Sequence, residues 1–109
     1  MSGRLPKGPT SEKEWQSTVL DLATLGGWRS YHTFDSRRSA AGFPDLVLVR
    51  PPVVRFIELK AGTGKLRPKQ RAWLDDLKDC ESVEAHLWRP SDWDRIEEML
   101  TRPRKRGAA

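Results

Sequence analysis

One cysteine and two histidines are all the thiol and imidazole ligands in this sequence. Cys80 has no partner for an intrachain disulfide, and with only His32 and His86 beside it no zinc set can be assembled. No apolar run approaches the length of a membrane span or a signal peptide. The expected setting is reducing and cytoplasmic. There is no internal repeat, and 109 residues leave room for one small core. A domain of this size buries a modest share of its surface, so dimerisation would help it.

Charge and tryptophan are well supplied. The chain is 32% charged against 37% apolar, with five Trp to build a core. Its net charge of +5 suits a polyanion, and nucleic acid is the usual one. Charge alone leaves a merely soluble basic protein open as well.

Local signals place the elements. Residues 1–10, MSGRLPKGPT, read as a flexible start. Ser11, with Glu14 three residues on, forms a capping box for a helix to about Leu25, ended by Gly26-Gly27. WRSYHTF (28–34) alternates as a strand, and DSRRSAAG (35–42) is a loop carrying Arg37 and Arg38. Leu46–Val49 and Val53–Leu59 are apolar runs around Arg50-Pro51-Pro52 and read as a hairpin. Pro68 suits the first turn of a second helix, to about Lys78. VEAHLWR (83–89) is another strand, and Ser91 with Asp94 predicts a capped last helix. The domain body spans 11–101, followed by a loose basic tail (102–109) with Arg104, Lys105 and Arg106. The order αβββαβα predicts an α/β fold, one mixed four-stranded sheet flanked by helices.

Two acids and a lysine interrupt the apolar runs. In an antiparallel pair, matching Arg50 with Val53 also sets Asp45 opposite Glu58, with Cβ atoms about 5 Å apart. Lys60, two beyond Glu58, projects from the same face. A tight Pro51-Pro52 turn is not expected, because primed hairpin turns need positive φ; a wider loop can keep the register. A one-residue slip would send the two acids to opposite faces. Opposed carboxylates repel and need a counter-charge, which a divalent cation supplies and Lys60 supplies in part.

Both neighbouring helices point at this place. Trp15, Val19, Leu22 and Ala23 form an apolar stripe that Glu12 extends, while Glu14 lies with Thr18 and Asp21 on the wet side. In the second helix Gln70 extends the stripe of Trp73, Leu74 and Leu77. Singly, each has an ordinary explanation. Glu12 suits a first helical turn, Gln70 a satisfied amide, Asp45 a turn after Gly42-Phe43-Pro44, and ELK a solvated strand. Together they set four polar groups where apolar ones belong.

Pro44-Asp45 and Glu58-Leu59-Lys60 resemble the PD-(D/E)XK nuclease motif. The fuller series SEKEWQ, GW, GFPDLVLVR, FIELK, GKLRPKQRAWL and WRPSDW, over roughly residues 11–97, closely resembles the small stand-alone VRR-NUC proteins, many of them phage-encoded. The resemblance implies a PD-(D/E)XK restriction-endonuclease-like core. It also implies a metal-dependent, structure-selective DNA endonuclease for branched DNA such as Holliday junctions, acting as a homodimer. A phage-encoded member would work in the cytoplasm of a bacterial host. By position the resemblance assigns Mg²⁺ or Mn²⁺ to Asp45, Glu58 and the backbone carbonyl of Leu59, with Glu12 as a further ligand. Glu12, Asp45, Glu58, Lys60 and Gln70 take catalytic positions, and Gln16 matches a recurrent polar one.

Phosphate contacts are expected from Arg37, Arg38, Lys65, Arg67 and Lys69 around the site, with the tail as a trailing arm. His32 and His86 read as structural, and Phe43, Trp28, Trp88 and Trp93 as core or dimer interface. Two rival readings stand beside the nuclease. One is a nucleic-acid-binding module without catalysis, which gains nothing from carboxylates aimed at phosphate. The other is a sequence-specific restriction-type nuclease, for which so short a chain has no recognition insertion.

Overall fold

The first helix begins where its capping box predicts. In the computed structural model, which describes residues 11–33 and 39–103, Glu14 N donates to Ser11 Oγ at 3.0 Å and Ser11 N to Glu14 Oε1 at 3.2 Å. Helix α1 (Glu12–Leu25) follows, and its stripe of Trp15, Val19, Leu22 and Ala23 is buried. The expectations for residues 1–10, for Arg37 and Arg38, and for Arg104, Lys105 and Arg106 fall outside the described residues.

Strands β1 (Arg29–His32), β2 (Leu46–Arg50), β3 (Val53–Leu59) and β4 (Glu84–Trp88) form one mixed sheet in the order β1-β2-β3-β4. The first three run antiparallel, and β4 joins β3 in parallel. A parallel neighbour needs a crossover, which α2 (Pro68–Lys78) provides. The outer strands are shorter than the expected 28–34 and 83–89, since each pairs only along the length of its partner: β1 stops where His32 meets Leu46, and β4 where Trp88 meets Leu59.

The hairpin register is the expected one, with Leu46 on Ile57 and Arg50 on Val53. Its connection is not. Pro51 and Pro52 alone close the turn, joined by a cis peptide bond, where a wider loop was expected. A turn with cis-proline at its third position needs no positive φ, so the objection to a two-proline turn does not apply. The last helix also starts differently. Pro90 initiates a 3₁₀ turn (Pro90–Asp92) ahead of α3 (Trp93–Thr101), which places Ser91 inside the turn and not at its cap. Asp92 Oδ2 accepts instead, from Arg89 N at 2.9 Å.

Strand alternation divides the core. Leu46, Leu48, Ile57, Leu59 and Trp88 pack with the stripe of α1 and with Trp93, Ile96 and Leu100 of α3. Trp28 belongs to this core as well. The opposite face holds Phe56, edge-on to Phe43 at 6.1 Å, and Phe43 in turn meets Trp73 of α2 at 4.9 Å. At the hairpin end of the sheet Arg55 lies over the Trp28 ring and pairs with Glu84 at 2.8 Å. Glu84 Oε1 also stands 3.0 Å from His86 Nε2. Among the described residues, no helix is long and apolar enough to cross a membrane.

Candidate active site

The polar side chains expected to converge do so at the end of the sheet away from the hairpin turn. Glu58 sits one residue before the end of β3, on the face toward Phe56 and α2. It is 3% exposed, the one buried charged residue among those described. Asp45 immediately precedes β2. Its Oδ2 accepts from Leu59 N at 2.8 Å, and its carboxyl stands close enough to that of Glu58 for each to shift the other's titration. The two acids therefore meet, as the register required.

Their proximity reshapes their titration. The Glu58 carboxyl is pushed up to about 8, first by burial and then by the charge of Asp45; Lys60 opposes the rise. Asp45 is also raised by burial, against the pull of the Leu59 amide. The pair holds a proton where an isolated acid would have lost it, the expected behaviour of two carboxyls in one low-dielectric site.

Both helices add a clamp. Gln70, in the first turn of α2, donates from Nε2 to Glu58 Oε2 at 2.9 Å, and its Oε1 accepts from Arg67 N at 2.8 Å. Glu12, in the first turn of α1, accepts from Ala61 N at 2.7 Å. Glu12 thus reaches the site by holding the chain just past Lys60, and Glu14 stays in the cap. Gln16 is half-buried on α1. Lys65, Arg67 and Lys69 are exposed along the segment that enters α2.

Several supports escaped the sequence reading. Thr33 braces the Pro44-Asp45 corner: its N donates to Asp45 O at 3.0 Å and its Oγ1 to Pro44 O at 3.2 Å. Arg89 Nη1 donates to Gly62 O at 2.6 Å, a second hold on the chain just beyond Lys60. Trp88 O accepts from both Lys60 N at 3.1 Å and Trp15 Nε1 at 3.1 Å. Each of these bonds ends on a backbone carbonyl or amide, which leaves no residue-type signature. Arg89 and Trp88 do lie in the WRPSDW string.

A cavity of about 520 Å³ opens beside Asp45 and Gln70, between residues 39–43 and the start of α2. Gly42 makes this arrangement possible. Its φ is +84°, and a Cβ there would stand 2.5 Å from the Lys69 carbonyl carbon.

The donors are all hard oxygens, a set suited to Mg²⁺ or Mn²⁺. Among the described residues no three His, Cys, Asp or Glu side chains gather closely enough to hold a metal by themselves. An ion here would use two carboxylates and complete its shell from backbone oxygen and water.

No curated protein and no solved structure matches the chain significantly. Residues 5–88 match the model of the VRR-NUC domain, a stretch that contains both acids, the lysine and both helix clamps, and the chain belongs to the VRR-NUC nuclease family.

Proposed function

We propose that this protein is a Mg²⁺- or Mn²⁺-dependent, structure-selective DNA endonuclease that hydrolyses phosphodiester bonds in branched DNA such as Holliday junctions, acting as a homodimer. The reading is carried by the Asp45–Glu58 pair: the strand register sets the two acids opposite each other, Glu58 is buried, and Leu59 N and Gln70 Nε2 hold one oxygen of each. A protein that only binds phosphate would be weakened by such a pair. A cation bound by Asp45, Glu58 and the Leu59 carbonyl supplies Lewis-acid polarisation of the phosphate and a lowered pKa for the attacking water.

The chain's own groups do the rest. Leu59 N fixes Asp45 Oδ2 and Gln70 Nε2 fixes Glu58 Oε2, one oxygen of each acid. Lys60 orients the attacking water and offsets the negative charge that builds on the phosphate. Glu12 holds Ala61 N and so fixes the strand end from which Lys60 projects. Water adds to phosphorus, one P–O ester bond breaks, and the departing oxygen takes up a proton. Lys65, Arg67 and Lys69 grip flanking phosphates. Two copies related by a twofold axis would present two sites to two strands.

The test is incubation of four-way junction, flap, splayed-arm and linear duplex DNA with Mg²⁺, Mn²⁺ or EDTA. The expected result is metal-dependent cutting of branched DNA that is lost in Glu58→Ala and Lys60→Ala. Tight binding with no cutting in either metal would make the protein a binding module.

A further inference from the structure

Building on the nuclease reading, we infer that the cavity beside Asp45 and Gln70 receives one unpaired nucleotide of the strand being cut. Its volume of about 520 Å³ lies in the range of small-ligand sites, roughly 300–1,000 Å³. Among the described residues, two unlike stretches line it. One is the turn that Phe43 N closes on Ala40 O at 3.2 Å, with Gly42 at positive φ. This side is lined by Ser39, Ala40, Ala41, Gly42 and Phe43, mostly small and without charge, a surface against which the plane of a base can lie. The other wall is the start of α2, which brings the exposed cations Arg67 and Lys69. A space with an apolar side and a cationic side is matched by a molecule with an apolar ring and an attached phosphate.

The location adds to the match. Asp45 and Gln70 line the same cavity, so a nucleotide seated there has its phosphate beside the paired acids. The arrangement would also let this domain select DNA by structure. Removing a base from its stack is costly in duplex and cheapest where the base is already unpaired. Branch points, flaps and splayed ends therefore enter the site more easily than linear duplex, without a recognition insertion.

A branched DNA carrying 2-aminopurine at each nucleotide near the branch in turn, titrated with wild-type protein in EDTA, tests the pocket without requiring cleavage. The expected result is a severalfold rise in fluorescence at one position on binding. An abasic residue at that position should weaken binding roughly tenfold. Ala41→Trp, which fills the cavity from an exposed position, should abolish the rise and make the abasic change neutral. Binding with no fluorescence change at any position overturns the pocket, whatever the variant does. Deoxynucleoside monophosphate bound as tightly as the branched DNA also overturns it, since the site would then serve a free small molecule. Unstacking without cutting in Mg²⁺ or Mn²⁺ leaves the pocket standing and overturns the nuclease reading alone.

Discussion

Gln70 Nε2 lies 2.9 Å from Glu58 Oε2 while its Oε1 lies 2.8 Å from Arg67 N, so one amide joins a helix start to a buried acid. The two roles separate by substitution. Gln70→Glu keeps the acceptor for Arg67 and sets a negative charge against Glu58. Melting in Mg²⁺ should change little, while cutting falls at least tenfold. Gln70→Ala loses both bonds and should cost about 1–2 kcal/mol of stability as well. Melting curves beside nicking rates check both.

The raised Glu58 carboxyl links folding to pH. Its value of about 8, against an ordinary 4.5, means that the metal-free fold binds a proton the unfolded chain gives up. The stability it contributes is complete below about pH 4.5 and disappears as pH rises through about 8. His86 acts in the opposite sense, since burial holds its imidazole low and its contribution is lost as pH falls. A difference curve isolates the acid: wild-type minus Glu58→Gln melting temperature should decline from pH 5 to pH 9 in EDTA. Mn²⁺ should remove the decline. Binding of Mn²⁺ near pH 7 should release close to one proton, read from the buffer dependence of the calorimetric heat.

Gly42 and Gly62 predict opposite outcomes for one change. At Gly42, alanine meets a positive φ and the backbone of Lys69, and should cost about 2–4 kcal/mol. Cutting should fall beyond the stability loss, because the Pro44-Asp45 corner parts from α2. At Gly62 nothing lies within 4 Å of an added Cβ, and alanine should stay within about 0.5 kcal/mol. Denaturant titration of both variants checks the contrast.

Lys65, Arg67 and Lys69 should register in the salt dependence of binding. Each alanine substitution should lower the slope of log affinity against log salt by roughly 1. Lys78, at the far end of α2, is the control and should leave the slope unchanged.

Much of this site could be read before any coordinates because it obeys two periodicities. The alternation of β2 and β3 fixed which faces Asp45 and Glu58 share, and the helical stripes selected Glu12 and Gln70. The capping box at Ser11 explained Glu14 and left Glu12 as the acid available to the site. Readings failed where proline determines geometry. Pro51-Pro52 closes a turn excluded by the rule for primed hairpins, and Pro90 starts a turn ahead of Ser91. The cavity wall was also hidden, because Ser39, Ala40, Ala41 and Gly42 have no period and no charge. Thr33 and Arg89 act on backbone groups, so any neighbouring sequence would look the same.

Trp88 O receives the Trp15 indole from the interior and the Lys60 amide from the reactive rim. Core and chemistry therefore meet on a single atom. Anyone grafting these acids and this lysine onto another scaffold would have to carry the neighbouring parallel strand and the Trp15 indole with them, since β3 alone lacks the carbonyl that aims its terminus and the indole that holds that carbonyl.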